Sequence, residues 1–348
     1  MKQDARFRKI LLIHTAFIGD LILSTPLVRE IKANFPDSSL SLLLTPQTAP
    51  LFRKSRWVDE ILLYDKRGKQ KGADKFSRLA MDLRQCRFDA VFSPHRSLRS
   101  SLLAYLSGAR IRIGFDSATG AFLYTHQVHY DNGQHEIDRN LSLLKSFNLP
   151  VDSNELEIAG DAADRQVIER LLADAAVDTN RDLIAIAPGS IWPTKRWPAV
   201  YYKTLIHMLQ ERNYQVVLIG GKNDVELASC LAKPADKTTI NMVGKLSLTE
   251  SAELLKLCRV LVTNDSAPMH LAAAVNTSVV AIFGPTVQSL GFAPRGRNMA
   301  IVEIDLSCRP CGKHGGVICP IKTHACMTHI HPRQVLEKTI FLARSKTI

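Results

Sequence analysis

The chain reads as an α/β protein built from two doubly wound, Rossmann-like domains facing a central cleft, and three observations predict this. Short apolar runs alternate with amphipathic stretches through the first half, a polar helical segment follows, and Leu183 to Ala187 opens the same alternation a second time. Strand and helix patterns in alternation imply mostly parallel sheets covered by helices. A length of 348 residues accommodates two domains of ordinary size. The expected division is 1–175 for the first domain and 176–330 for the second, with a last helix over 331–348 packing back toward the N-terminal domain.

Ile10 to Ile13, Leu40 to Leu44, Ile61 to Tyr64 and Ala90 to Phe92 are the predicted buried strands of the first half, with helices between them. After the first strand the turn from Thr15 to Asp20 delivers the chain to a helix carrying Leu21, Leu23, Leu27, Val28 and Ile31. Pro26 falls inside that pattern and predicts a kink or a restart. Gly19 and Asp20 then lie beyond the carboxyl end of a strand, where ligands of such sheets collect. Asp20 reads either as an acid favoured by a helix N-terminus or as a carboxylate able to act as a general base. His135 to Arg139 opens one polar helix and Asp161 to Ala176 forms another.

In the second half the expected order is strand Leu183–Ala187, helix Trp197–Arg212, strand Gln215–Ile219, helix Asp224–Leu231, strand Ile240–Val243 and helix Thr249–Cys258. The apolar run Val260-Leu-Val then enters the segment from Thr263 to Thr286. Asp265 or Ser266 caps a short helix there, and Pro268 suits its first turn. The N–H groups and positive dipole end of such a helix form a seat for a phosphate or diphosphate. Two further loops share that end of the sheet. In the first, from Pro188 to Pro198, Lys195 and Arg196 can neutralise a leaving diphosphate. In the second, Gly220 to Asp224, a carboxylate beyond a Gly-rich strand end is placed for ribose hydroxyls.

Composition narrows the partners. Net charge is +12, and Lys66, Arg67, Lys69, Lys71, Lys75 and Arg78 crowd into thirteen residues with Asp74 the only acid. That excess favours an anionic partner. No segment approaches the roughly 18 unbroken apolar residues of a membrane span. The charged N-terminus followed by a short apolar run reads as a first strand and not as a signal peptide, which places seven cysteines in a reducing cytoplasm. Neither G-x-G-x-x-G after a strand nor G-x-x-x-x-G-K-[ST] occurs, so dehydrogenase and P-loop kinase readings lose support.

Three stretches together carry a resemblance: ILLIHTAFIGDLILSTPLVREIK, PGSIWPTKRWP and NDSAPMHLAAAVNTSVVAIFGPT. The chain resembles the bacterial ADP-heptose:lipopolysaccharide heptosyltransferases, glycosyltransferase family 9. Its Cys-rich tail looks most like the enzyme that adds the second inner-core heptose. The resemblance implies a GT-B fold, an inverting transfer without a catalytic metal, ADP-heptose as donor, and an anionic lipopolysaccharide core as acceptor. It also implies work at the cytoplasmic face of the inner membrane through peripheral contact, with no nucleic acid.

Residue by residue, the resemblance implies that Asp20 is the catalytic carboxylate and Lys195 the diphosphate-binding lysine. Asp224 falls on a ribose-contacting position, and Asp265, Ser266, Ala267 and His270 on the segment embracing diphosphate and sugar. Gly19, Ser190 and Thr194 join them as substrate-binding positions. Ala267 stands where glycine is usual, which keeps an N–H donor and gives up φ freedom. Among arginines of the first domain, Arg96, Arg99, Arg112 and Arg139 are candidate acceptor contacts, and Arg96, beyond a strand end beside His95, has a positional argument.

Cys308, Cys311, Cys319 and Cys326 form C-x2-C-x7-C-x6-C with His314 and His324 nearby. The first pair has zinc-ligand spacing while the second is too wide for the common knuckle. Reduced thiols, or a loop ordered by the acceptor, are therefore expected ahead of a structural zinc. Two rival functions stay open. One is a family 9 transferase with a different sugar or acceptor. The other is a non-catalytic basic nucleic-acid-binding protein, against which stand few aromatics and charge spread through both halves.

Overall fold

The structure is a computed structural model that describes residues 7–178, 180–232 and 238–345. Residues 1–6, part of the charged N-terminus weighed above, lie outside the described residues. The chain divides into two compact units, Met1–Ala159 and Gly160–Ile348.

In the first unit the elements are β1 (Lys9–Ile13), α1 (Ile18–Ile22), α2 (Thr25–Asn34), β2 (Ser39–Leu44), β3 (Glu60–Leu63), α3 (Ala73–Gln85), β4 (Ala90–Ser93), α4 (Leu98–Leu106), β5 (Ile111–Phe115), β6 (His126–Val128) and α5 (Glu136–Lys145). All the strands are parallel, in the order β3-β2-β1-β4-β5-β6. Ile10 to Ile13 are fully buried at the centre, as strands covered on both faces require. The break foreseen at Pro26 is a restart: α1 stops at Ile22, and α2 begins with Pro26 in its first turn, where a missing N–H costs nothing. The expectation did not include β5 or β6. Arg112 and Gly114 interrupt the apolar run of β5, and β6 has three residues at the sheet edge.

The second unit contains α6 (Ala162–Asp174), β7 (Leu183–Ala187), α7 (Ala199–Gln210), β8 (Gln215–Leu218), α8 (Val225–Leu231), β9 (Thr239–Asn241), α9 (Leu248–Leu257), β10 (Val260–Asn264), α10 (Ala267–Ala274), β11 (Ser278–Phe283), β12 (Met299–Glu303), α11 (Ala325–Thr328) and α12 (Pro332–Ser345). Its strands are also parallel, in the order β12-β11-β10-β7-β8-β9. Each sheet therefore reverses direction beside its first strand, at β1/β4 and at β7/β10, and that switch point is where doubly wound sheets bind ligands.

The division falls earlier than the expected 175/176. Capped by Asp161, α6 belongs with the second unit because it packs against α9. Gly160 lies so close that a Cβ there would come within 2.3 Å of Glu253 Oε1, and Arg165 pairs with Glu253 at 3.7 Å. The last helix, α12, packs on α7, β10, β11 and β12 of the same unit.

Candidate functional site

The loops at the second switch point hold most of the expected residues together. From β7 the chain leaves through Pro188 and Gly189 to a 3-10 turn, Pro193–Lys195. From β10 it leaves through Asp265 to α10, whose N-cap is Ser266, in extended backbone and without a side-chain cap. Buried Asn264 joins the two loops. Its Nδ2 donates to the Pro188 and Gly189 carbonyls at 2.8 and 3.2 Å, and its Oδ1 accepts from the Trp197 N–H and the Tyr202 hydroxyl, both at 3.0 Å. No sequence reading singled out Asn264. An asparagine closing an apolar strand just before Asp265 was the available signal.

Lys195 and Asp265 form a buried ion pair, Nζ to Oδ2 at 2.5 Å, and Thr286 Oγ1 donates to the same carboxylate oxygen at 2.6 Å. Lys195 is thereby fixed beside the amide end of α10. An ammonium has three donors, so one can hold Asp265 while others meet an anion. Ala267 takes ordinary helical backbone as the first residue of α10, so the glycine usual there is not needed for its conformation. His270 lies buried one turn further along.

Asp224 reaches the same end of the sheet. Its Oδ2 accepts from Gly221 N–H at 2.9 Å, and a Cβ on Gly189 would come within 2.1 Å of its Oδ1, so glycine at 189 leaves the carboxylate its place. Ser190 Oγ accepts from Trp192 N–H at 3.3 Å, which shapes the turn ahead of Lys195.

Thr194 is engaged by the Cys-rich segment. Its hydroxyl donates to the Gly316 carbonyl at 2.9 Å and accepts from Gly316 N–H at 2.7 Å, while His324 Nε2 bonds the Thr194 carbonyl at 2.8 Å. The tail thus clamps the turn that carries Lys195. Cys311, Cys319 and Cys326 line a cavity there with His314 and His324. Backbone N–H groups, first that of His324, lower the Cys319 thiol, whereas burial and then Cys311 push Cys326 up to about 11. Among the described residues no three His, Cys, Asp or Glu side chains are grouped so as to hold a metal ion.

At the first unit's switch point, Gly19 and Asp20 stand half-exposed in the first turn of α1, and Asp20 Oδ2 accepts from Phe17 N–H at 3.3 Å. Positive groups gather around the loop that leads to them. Lys66 Nζ donates to the Thr15 carbonyl at 2.5 Å, and the Arg67 guanidinium lies 5.5 Å from the Phe17 ring centroid. His95 Nδ1 is within 3.3 Å of Thr15 Oγ1 and 3.1 Å of Ser100 Oγ. Burial, then Arg67 and Arg99, lower the Lys66 ammonium. Burial, then Lys66 and Arg96, push His95 down to about 4; burial, then His95, push His14 down to about 3. Each neighbour named here is basic, so an anion entering this loop meets positive charge on several sides.

Lys66 was legible only as part of a basic run. Its contact with Thr15 spans 51 residues. Arg96 stacks 3.7 Å over the Tyr130 ring. Arg112 and Arg139 do other work. Arg112 donates to the Leu123 and Ala109 carbonyls, and buried Arg139 to Glu136, Tyr130 and the carbonyls of Asp131 and Asn132.

Comparison with known proteins identifies the family and the fold. The sequence profile of "Glycosyltransferase family 9 (heptosyltransferase)" matches residues 76–320. Lipopolysaccharide heptosyltransferase 2 of Salmonella typhimurium is 27% identical over 289 residues, covering 80% of this chain and 83% of that protein. Lipopolysaccharide heptosyltransferase 3 of Escherichia coli is 28% identical over 295 residues, covering 81% and 85%. Among solved structures, a family 9 glycosyl transferase from Veillonella parvula superposes with a TM-score of 0.87 at 23% identity, over 97% of this chain and 98% of that one. The E. coli ADP-heptose lipopolysaccharide heptosyltransferase II superposes with a TM-score of 0.79 at 24% identity, over 98% and 100%. These likenesses establish the GT-B fold.

Proposed function

The chain belongs to glycosyltransferase family 9, and from that premise we propose that it transfers L-glycero-D-manno-heptose from ADP-heptose to the lipopolysaccharide inner core, as the second heptose, with inversion. The observation that carries the reading is the buried Lys195–Asp265 pair at the amide end of α10, at the second sheet's switch point. Bond breaking at the sugar's anomeric carbon leaves negative charge on the departing ADP. Lys195 and the α10 amides supply preorganised positive charge for it. Asp224 is assigned to the ribose hydroxyls, and Ser266, Ala267 and His270 to the diphosphate and sugar.

Asp20 is the proposed base. Removing the acceptor hydroxyl's proton as the new C–O bond forms accelerates such a step by roughly 10²- to 10⁴-fold. The acceptor is an acidic lipid-linked glycan. Lys66, Arg96 and Arg99 supply matching charge beside the Thr15–Asp20 turn, and neutral His95 offers a hydrogen-bonding ring nitrogen there. The protein is assigned to the cytoplasmic face of the inner membrane as a peripheral enzyme. Among the described residues no helix is long and apolar enough to cross a membrane.

The test is to incubate the purified chain with ADP-heptose and either a heptose-free or a mono-heptosylated inner core. ADP release and a one-heptose mass gain on the mono-heptosylated core alone are expected. Transfer only to the heptose-free core would replace the second-heptose assignment, and transfer from UDP-sugars alone would overturn the donor.

A further inference from the structure

The surface of α4 presents exposed apolar side chains to which the proposed transfer assigns no role. Its inner face is buried through Ser100, Ser101, Leu103 and Ala104. Its outer face leaves Leu98 43% and Tyr105 51% exposed, and Phe122, in the adjoining 3-10 turn Ala121–Leu123, is 77% exposed. The turn and the helix form one surface. A Cβ on Gly120 would lie 2.7 Å from Ser101 Cβ and 3.1 Å from Leu98 Cδ1. The Arg112 guanidinium sits 5.5 Å from the Tyr105 ring centroid while donating to the Leu123 carbonyl at 2.9 Å. The turn that carries exposed Phe122 is thus packed against α4 on one side of it and bonded to Arg112 on the other.

Basic residues predominate in this stretch of the chain. Arg96, Arg99, Arg110 and Arg112 all fall between residues 94 and 130, and the only acid in that stretch is Asp116. Asp116 is bonded to His129 at 2.8 Å. Single exposed apolar residues need no explanation, but aromatic side chains grouped with an excess of arginines match an anionic interface. Apolar tips enter the acyl boundary while arginines meet lipid phosphates, and the two terms add where either alone is weak.

We infer that the α4–Phe122 face docks the protein on an anionic phospholipid bilayer. This deepens the proposed function and takes its biological sense from it, since α4 starts directly after the β4 end that carries His95 and Arg96. Docking there would bring the Asp20 turn to the level of lipid-linked acceptors.

The test uses the full chain and sucrose-loaded vesicles sedimented at physiological salt, in three compositions: phosphatidylcholine alone, phosphatidylcholine with phosphatidylglycerol, and phosphatidylethanolamine with phosphatidylglycerol. Binding is expected to the two anionic mixtures and not to phosphatidylcholine alone. Each of Phe122→Ser and Arg110→Glu should lower the partition coefficient by about tenfold, while melting temperature and ADP affinity stay at wild-type values. Variants that sediment like the wild type would overturn the inference. So would equal binding to all three compositions, or a wild-type dimer that Phe122→Ser dissociates. Turnover of a soluble, deacylated acceptor is the separate control. Its absence would count against the transferase reading and leave the vesicle result standing, whereas normal turnover without vesicle binding would do the reverse.

Discussion

Replacing Lys195 by methionine keeps the length of the apolar stem and removes the charge, which isolates what the ammonium contributes. Lys195 and Asp265 are both buried and meet at 2.5 Å, and Thr286 donates to the same carboxylate oxygen at 2.6 Å. Lys195→Met therefore takes the cation from a buried carboxylate and leaves it the neutral Thr286 hydroxyl, at a cost of roughly 3–5 kcal/mol. For a domain the size of the second unit, each kcal/mol moves the melting temperature by about 2–4 °C, so the expected fall is on the order of 10 °C. Adding Asp265→Asn removes the stranded charge and leaves an oxygen for Thr286, so most of the lost melting temperature should return. Activity should not return. Without the ammonium at the departing diphosphate, kcat stays about 10²- to 10³-fold down in both variants. Scanning fluorimetry and an ADP-release assay on the three proteins read the two quantities independently. A single variant that melts with the wild-type chain would show that the pair does not stabilise the fold, and a double variant that regains turnover would show that the ammonium does not act on the leaving group.

Other consequences follow from the same geometry. Asp20→Asn should reduce transfer by roughly 10²- to 10⁴-fold while ADP-heptose binding, followed by calorimetry, is unchanged; near-normal turnover would remove Asp20 as the base. Gly189→Ala puts a methyl group into the space of the Asp224 carboxylate and should raise the donor KM by about tenfold with a smaller effect on kcat, the pattern of lost uniform binding. His14 and His95 are held neutral when folded, near 3 and 4, and revert toward 6.5 on unfolding. Between those values the unfolded chain binds more protons, so stability falls as pH drops from 6.5 toward 4, with a limiting slope of about 1.4 kcal/mol per pH unit for each histidine. Melting temperatures across that range should show a shallower slope for His95→Gln, and a parallel slope would contradict the assignment.

The central strands and the switch-point loops were readable because they rest on local pattern. Leu11, Ala185 and Val262 sit in short apolar runs bounded by turn residues, the pattern of buried strands, and Asp20, Asp265 and Ser266 follow such runs closely. What escaped depends on contacts remote in sequence or on weak edges. Strands β5, β6 and β12 lie toward the sheet margins, where half-exposed positions dilute the apolar signal. Helix α6 read as part of the first half because nothing local reveals that it docks on α9. Lys195 and Asp265 were each expected near a diphosphate, but not as partners across 70 residues, and Thr194 was expected at substrate while its hydroxyl engages Gly316, 122 residues away.

The most direct measurement is a crystal structure of the chain grown with ADP. The diphosphate is expected within hydrogen-bonding reach of Lys195 Nζ and of the backbone amides of Ser266 and Ala267, with the ribose toward Asp224. A diphosphate bound away from the start of α10, with Lys195 still closed on Asp265 alone, would contradict it.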